Sequence, residues 1–104
     1  MINRFGDYRN FGQGKKTMKT VTCTGIPGNY AGLWTAANHT KLGFPRVPCG
    51  LRLRVTDPAT KRSVVVVVAD GGGSEGLDLD DAAYKQLYAG GDGLRPGAVV
   101  EVLN

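Results

Sequence analysis

The sequence has few residues that bind metals and no segment that could cross a membrane. Its 104 residues include one histidine and two cysteines, without the CxxC or Cys/His clusters typical of zinc sites. No apolar run approaches the roughly 18 residues that a membrane span needs, and the N-terminus lacks the apolar core of a secretory signal. We therefore expect no metal, no membrane contact and no export through a signal peptide in this chain.

The glycine-rich segment DGGGSEG, residues 70–76, lacks the residues that nucleotide or calcium sites use. It has no Lys followed by Ser or Thr, as a phosphate-binding P-loop requires, and Glu75 would repel phosphate. Its third position offers no oxygen ligand for calcium. We therefore expect no cofactor.

The two cysteines, Cys23 and Cys49, allow one disulfide at most. In an oxidising setting they would pair, and otherwise they would lie as small buried thiols. The sequence leaves both alternatives open, and in either case their role is expected to be structural.

Basic residues are concentrated near the N-terminus. The first 19 residues carry five basic residues and one acidic residue, which accounts for the net charge of +4. Residues 1–18 are expected to form an extended arm, which is either a solvated tail or a segment that docks on other protein subunits of an assembly. Nucleic acid is not the expected partner. The residues expected to dock are basic or aromatic: Arg4, Phe5, Tyr8, Arg9 and Phe11.

Residues 19–104 predict one β-rich domain. Sixteen glycines and five prolines favour short strands joined by tight turns. The segment LRLRVT, residues 51–56, alternates apolar and polar residues, as a half-buried strand does. After the turn DPATK, the valine run predicts a second strand buried on both faces, which gives a hairpin over residues 51–69.

A short helix and a closing strand are predicted after the glycine-rich segment. Asp80 is a suitable N-cap for a helix over residues 81–88, because its carboxylate can accept the unpaired amides of the first turn. Gly90 is expected to end that helix. The final segment AVVEVL predicts a strand.

The order of these motifs resembles the superfamily of rare lipoprotein A, barwin and expansin. The matching segments are TAANHTKLGFPRVPCGLRLRVTDPATKRSVVVVVADGGG, then GLDLDDAAYKQL, then LRPGAVVEVL. The resemblance implies a mainly β fold, a six-stranded double-psi β-barrel with one short helix, over residues 19–104. It also implies that Asp70 lies in a groove and acts as the acid in members that cut glycan, that His39 assists it, and that Asp78 is structural.

Two features count against catalysis by Asp70. Gly71 stands where the family usually has arginine, and no Asp or Glu occurs between Tyr8 and Thr56. Inverting hydrolysis of a glycosidic bond needs a second carboxylate about 6.5–9.5 Å from the acid, whereas lytic cleavage of peptidoglycan needs only one acid/base residue. The alternative is that Asp70 accepts amide hydrogen bonds and shapes the turn after its strand.

Two aromatic residues are candidates for glycan binding. Trp34 and Tyr30 could stack on sugar rings beside Asp70, or Trp34 could belong to the core.

The sequence is compatible with two functions. The first is a non-enzymatic assembly protein, such as a phage head-decoration or tail protein that docks through its arm and is located in the virion. The second is a module of the extracellular cell wall that binds peptidoglycan, or a lytic transglycosylase-like enzyme that uses Asp70.

Overall fold

The protein is a small β-barrel with one helix. The computed structural model describes residues 2–10, 22–23, 33–72, 76–91 and 93–103. Within these ranges the elements are, in chain order, β1 (Ile2–Asn10), β2 (Trp34–Ala37), β3 (Arg52–Thr56), β4 (Ser63–Gly71), β5 (Leu77–Leu79), α1 (Asp81–Leu87) and β6 (Arg95–Val102).

The six strands close into a barrel in the order β1-β5-β2-β4-β3-β6. The predicted hairpin is confirmed, since β3 and β4 are antiparallel with Val55 opposite Val64. The β2 strand runs parallel to β4, and β1 runs parallel to β5. The six-stranded double-psi barrel with one short helix, predicted from the resemblance, is thereby confirmed.

The valine strand β4 is buried on both faces only near its end. Val64, Val66 and Val68 point into the core, whereas Val65 is 39% exposed. The prediction of two buried faces is wrong for the first half of the strand, because the outer face of the barrel there meets solvent. From Val68 to Asp70 every residue is buried.

The first strand lies in the segment that was expected to be an arm. β1 pairs with β5 on one side and with β6 on the other, so these residues belong to the barrel. Phe5 and Tyr8 are fully buried, although residues three apart do not share a face of a regular strand. Register shifts on both sides of Gly6, whose φ is +73°, realign the strand, so that both rings lie in the core.

The helix begins as predicted and ends earlier. The Asp80 carboxylate accepts a hydrogen bond from the amide of Ala83, which confirms it as the N-cap. Tyr88, not Gly90, is the C-cap. Burial of Asp80 raises the pKa of its carboxyl group. No helix among the described residues is long and apolar enough to span a bilayer.

Candidate functional site

Asp70 lies almost fully buried near the end of β4, with 3% of its surface exposed. Its Oδ1 accepts hydrogen bonds from the amide of Gly71 at 2.9 Å and from the amide of Thr22 at 3.2 Å. The Thr22 hydroxyl donates a third bond to the same oxygen at 2.5 Å. One carboxylate oxygen thus holds the turn after β4 and the segment at Thr22 together.

A disulfide holds the segment that contains Thr22. Cys23 and Cys49 are bonded, which decides between the two alternatives that the sequence left open. The amide of Cys23 also donates to the carbonyl of Ala69, 2.8 Å away. Thr22 is therefore fixed beside Asp70 through its neighbour in the chain.

Val47 fills the space beside Gly71. A Cβ at residue 71 would lie 2.9 Å from Cγ2 of Val47, closer than two such carbons approach without displacement. Val47 precedes the bonded Cys49 by two residues, and its carbonyl accepts a hydrogen bond from the amide of Cys49. Gly71, where the family usually has arginine, therefore leaves room for the loop that carries Cys49.

His39 lies in the turn after β2, at the same end of the barrel as Asp70. The two strands are parallel with Ala36 opposite Asp70, so the segments that follow them leave the sheet side by side. The Nδ1 of His39 donates to the carbonyl of Phe44 at 3.0 Å, and the amide of Phe44 donates to the carbonyl of His39 at 2.9 Å. With the proton on Nδ1, the neutral ring carries its lone pair on Nε2.

A second carboxylate lies at the level of Asp70. Ala36 pairs with Asp70 on one side and with Asp78 on the other, and paired residues of adjacent strands point to the same face. The two aspartate Cα atoms are separated by two strand spacings, about 10 Å. Asp78 forms an ion pair with Arg9 at 3.1 Å at the barrel surface. The sequence alone did not predict that Asp70 and Asp78 lie at the same level, because the order of the strands in the barrel brings them there.

The glycan-stacking prediction is wrong for Trp34. Its exposed fraction is 3%, and it packs in a small cluster with Cys23, Ala36 and Ala69. The ring is buried against these residues and Val47, so its faces are not open to a sugar. Tyr30 lies outside the described residues.

The docking prediction is wrong for two of its aromatic residues. Phe5 and Tyr8 are buried in the core of their own chain, so neither ring can reach another subunit. Arg9 is paired with Asp78. The side chain of Arg4 and the whole of Phe11 lie outside the described part of the chain.

Sequence reasoning missed a buried polar cluster at the other end of the barrel. Asp57 is fully buried, and its Oδ2 accepts hydrogen bonds from the Tyr8 hydroxyl and from Nη2 of Arg95 at 3.2 Å. Its Oδ1 accepts the amides of Ala59 at 2.7 Å and Thr60 at 3.1 Å. The partners are far apart in sequence, and the Asp-Pro turn alone gives no sign of them.

The environment shifts the pKa of each titratable group in this cluster. Burial alone raises the pKa of Asp57, but its hydrogen bonds, that of Tyr8 first, outweigh burial and lower the pKa. Burial and the neighbouring Asp57 raise the pKa of Tyr8. The Tyr8 and Asp57 oxygens raise the pKa of Arg95. At neutral pH a neutral phenol and a guanidinium thus both donate to one carboxylate oxygen, Oδ2 of Asp57. The Asp57 carboxylate thereby ties β1 and β6 to the turn after β3.

No group of three potential metal ligands occurs among the described residues. The expectation that the protein binds no metal stays a prediction.

Solved structures of an expansin and of a protease inhibitor have a similar fold. The apo expansin of Clavibacter michiganensis gives a TM-score of 0.74 at 24% identity, with all of this chain and 51% of the expansin chain covered. A mutant of that expansin in complex with cellohexaose gives 0.68 at 23%, with the same coverage. The Streptomyces papain inhibitor gives 0.65 at 16%, with 96% of its chain covered. The chain therefore spans about half of the expansin and nearly all of the inhibitor.

The family comparison agrees with the resemblance seen in the sequence. A sequence search of curated proteins gave no match. None of the structures named above is a virion component, so the predicted phage role has no support. Residues 28–103 match the Barwin family. The chain belongs to the Barwin family and carries the double-psi β-barrel of the superfamily that includes rare lipoprotein A and expansin.

Proposed function

We propose that this protein binds β-linked cell-wall glycan, without cutting it, at the end of the barrel that carries Asp70. The contact between Asp70 and Thr22 carries this proposal. A nearly buried carboxylate holds an exposed threonine at the surface, next to the turn that presents His39. Family membership and the cellohexaose complex of an expansin with the same fold support a glycan as the ligand.

Binding fits the site better than cleavage. A general acid must reach the glycosidic oxygen, whereas Asp70 is 3% exposed and its Oδ1 already accepts three hydrogen bonds. The carboxylate of Asp78 forms an ion pair with Arg9 at 3.1 Å and can accept hydrogen bonds at the surface. In this arrangement Asp70 fixes the geometry, while Thr22 and Nε2 of His39 offer hydrogen bonds to sugar hydroxyl groups.

The disulfide supports an oxidising location. Cys23 and Cys49 are bonded, and such bonds persist outside the reducing cytosol. We infer that the protein works in the extracellular cell-wall environment, where glycan is available.

Cosedimentation with insoluble peptidoglycan and with cellulose tests the proposal. We expect the wild type to bind at least one of the two glycans. Asp70→Ala should bind about tenfold more weakly or worse, because Thr22 loses its anchor and a charge-assisted hydrogen bond contributes roughly 1.5–3 kcal/mol. Glu101→Ala is the matched control, since it removes a carboxylate of β6 that pairs with Arg54 of β3. If the wild type bound neither peptidoglycan nor cellulose, the proposal would be overturned.

The supernatant of the same experiment separates binding from catalysis. Mass spectrometry should detect no soluble sugar products from the wild type. Anhydro-sugar products that disappear in Asp70→Asn would instead show lytic cleavage with Asp70 as the acid/base.

A second candidate function is inhibition of papain-type proteases. The observation that favours it is coverage, because the Streptomyces papain inhibitor matches along 96% of its chain and the expansin along only 51%. An equimolar mixture with papain and a fluorogenic peptide tests it directly. Full papain activity at micromolar concentrations of this protein would exclude that function.

A further inference from the structure

A rigid hairpin tip lies at the end of the barrel opposite Asp70. Residues 57–62 join β3 to β4, and β4 runs from Ser63 at this tip to Asp70 near its far end. Seven residue steps along an extended strand span about 23 Å. A ligand bound at the tip is therefore distinct from one bound at Asp70.

Hydrogen bonds within the tip and to the helix fix its shape. The Asp57 carboxylate holds the amides of Ala59 and Thr60, while the amide of Lys61 donates to the carbonyl of Asp57 at 2.8 Å. The Thr60 hydroxyl donates to the carbonyl of Leu87, 2.9 Å away, at the end of α1. The tip is thus fastened at its base and to α1, and it is ordered before any ligand arrives.

The tip presents two adjacent cations that have no ion pair. Lys61 and Arg62 are exposed, and neither side chain forms an ion pair or a hydrogen bond within the described part of the chain. Arg9, Arg54 and Arg95, by contrast, each pair with a carboxylate. Lys61 also has a φ of +61°, and no other non-glycine residue in the described ranges has a positive φ. A left-handed residue near the end of such a loop is a common way to close a hairpin.

The described surroundings of these cations are positive and partly apolar. Within residues 57–62, 85–91 and 93–96 the one carboxylate is Asp57, which is buried and bonded to Arg95, while Asp92, between the last two ranges, lies outside the described part of the chain. The guanidinium of Arg95 lies 3.9 Å above the ring of Tyr88. The neighbouring Leu94 is 56% exposed. We call Lys61, Arg62, Leu94 and Arg95 the hairpin-end patch.

We propose that the hairpin-end patch binds an anionic cell-wall polymer of polyol units linked by phosphodiesters. A phosphodiester stays charged at every physiological pH, and lysine and arginine are the side chains that recognise it. The exposed Leu94 offers an apolar contact to the carbon chain of the polyol. The location of the protein in the cell wall, on which this inference rests, comes from the proposed function. With glycan at one end and the anionic polymer at the other, one barrel links two components of the wall.

The experiment compares bacterial walls that retain the phosphodiester polymer with walls from which acid has removed it. Lys61→Asn/Arg62→Gln removes both free cations, and asparagine tolerates the positive φ of residue 61. Arg52→Gln/Arg54→Gln is the control, since it removes two exposed positive charges from the outer face of β3, away from the tip. Both variants carry the same net charge.

On intact walls we expect the tip variant to bind more weakly than the wild type and the control to bind like the wild type. Affinity falls as salt rises, and each contact with a flexible polyanion contributes about 0.7 to the steepness of log affinity against log salt. The tip variant loses two contacts, so its plot should be less steep than that of the wild type by about 1.4. Between 50 and 200 mM salt, the affinity of the tip variant should therefore fall by a factor about sevenfold smaller than that of the wild type. On stripped walls the tip variant and the wild type should bind equally.

Three results would overturn the inference. The first is equal binding of the tip variant and the wild type to intact walls, and the second is an equal loss in the control variant. The third is competition by duplex DNA as effective as that by the isolated wall polymer, which would indicate unselective binding of polyanions. The stripped walls test the glycan proposal separately, because binding to them depends on the Asp70 end alone.

Discussion

Thr22 donates two hydrogen bonds, one from its amide and one from its hydroxyl, to the same carboxylate oxygen of Asp70, although 48 residues separate them in sequence. A buried acid and a surface residue are thereby fixed in one geometry. The strand β4 positions the acid, and the disulfide that begins at the next residue positions the threonine.

Replacement of Thr22 by valine should destabilise the protein and weaken glycan binding. The change keeps the shape of the side chain and its amide but removes the hydroxyl that donates to Asp70. A hydrogen bond to a charged, nearly buried acceptor contributes about 1.5–3 kcal/mol, so we expect a loss of about that size in urea unfolding. Thr22→Ser keeps the hydroxyl and is the control. Equal stability of the valine and serine variants would contradict the assigned contact.

Removal of the disulfide should cost stability and disturb the Asp70 end together. Cys23 and Cys49 are 26 residues apart, and closing a loop of that length stabilises the fold by roughly 3–4 kcal/mol. Cys23→Ala/Cys49→Ala should therefore unfold at lower urea concentration, and its folded fraction should bind glycan weakly because Thr22 is no longer held. Dithiothreitol should reproduce both effects in the wild type and change nothing in the double variant.

Asp57 should make the protein sensitive to acid. Folding lowers the pKa of the Asp57 carboxyl group below its ordinary value of 3.8. The carboxylate therefore stabilises the fold fully above about pH 3.8, and this stabilisation is lost as the pH falls through the pKa of the folded state. Asp57→Asn removes the charge that Tyr8, Arg95 and the turn amides contact, so it should lower the free energy of unfolding at pH 7. Urea titrations between pH 2 and 7 check this. The difference between wild type and variant must shrink toward low pH, and a constant difference would refute the prediction.

A side chain at residue 71 should compete with Val47 for space. The added methyl of Gly71→Ala meets Cγ2 of Val47 at 2.9 Å, and such overpacking typically costs about 1–3 kcal/mol. Val47→Ala removes the obstacle, so the double variant should lose less stability than the sum of the two single changes. Thermal unfolding of all four proteins measures the coupling. Simple additivity would mean that the loop does not rest on Gly71.

Local patterns in the sequence predicted the elements that local forces determine. The alternation of LRLRVT and the valine run predicted the β3–β4 hairpin, and an aspartate before DAAYKQL predicted the N-cap. The position of Asp70 near the end of β4 followed from the resemblance. In each case neighbouring residues carry the information, through side-chain alternation or capping.

The rest depends on contacts between distant segments. The bulges around Gly6 change which residues of β1 face inward, so alternation could not identify Phe5 and Tyr8 as core. The cluster at Asp57 joins residues from three separate parts of the chain. The burial of Trp34 depends on packing with Cys23 and Ala69, which are distant from it in sequence.

The pairing of β1 with β6 has a consequence for synthesis on the ribosome. Ile2 lies opposite Glu101, so one of the first strands to be made has a partner among the last. The barrel cannot close until residues 95–102 have left the exit tunnel, and until then the aromatic side chains of β1 have no core to enter. The barrel therefore forms only after β6 has been made, and the buried rings of β1 are the surface that a chaperone would meet until then.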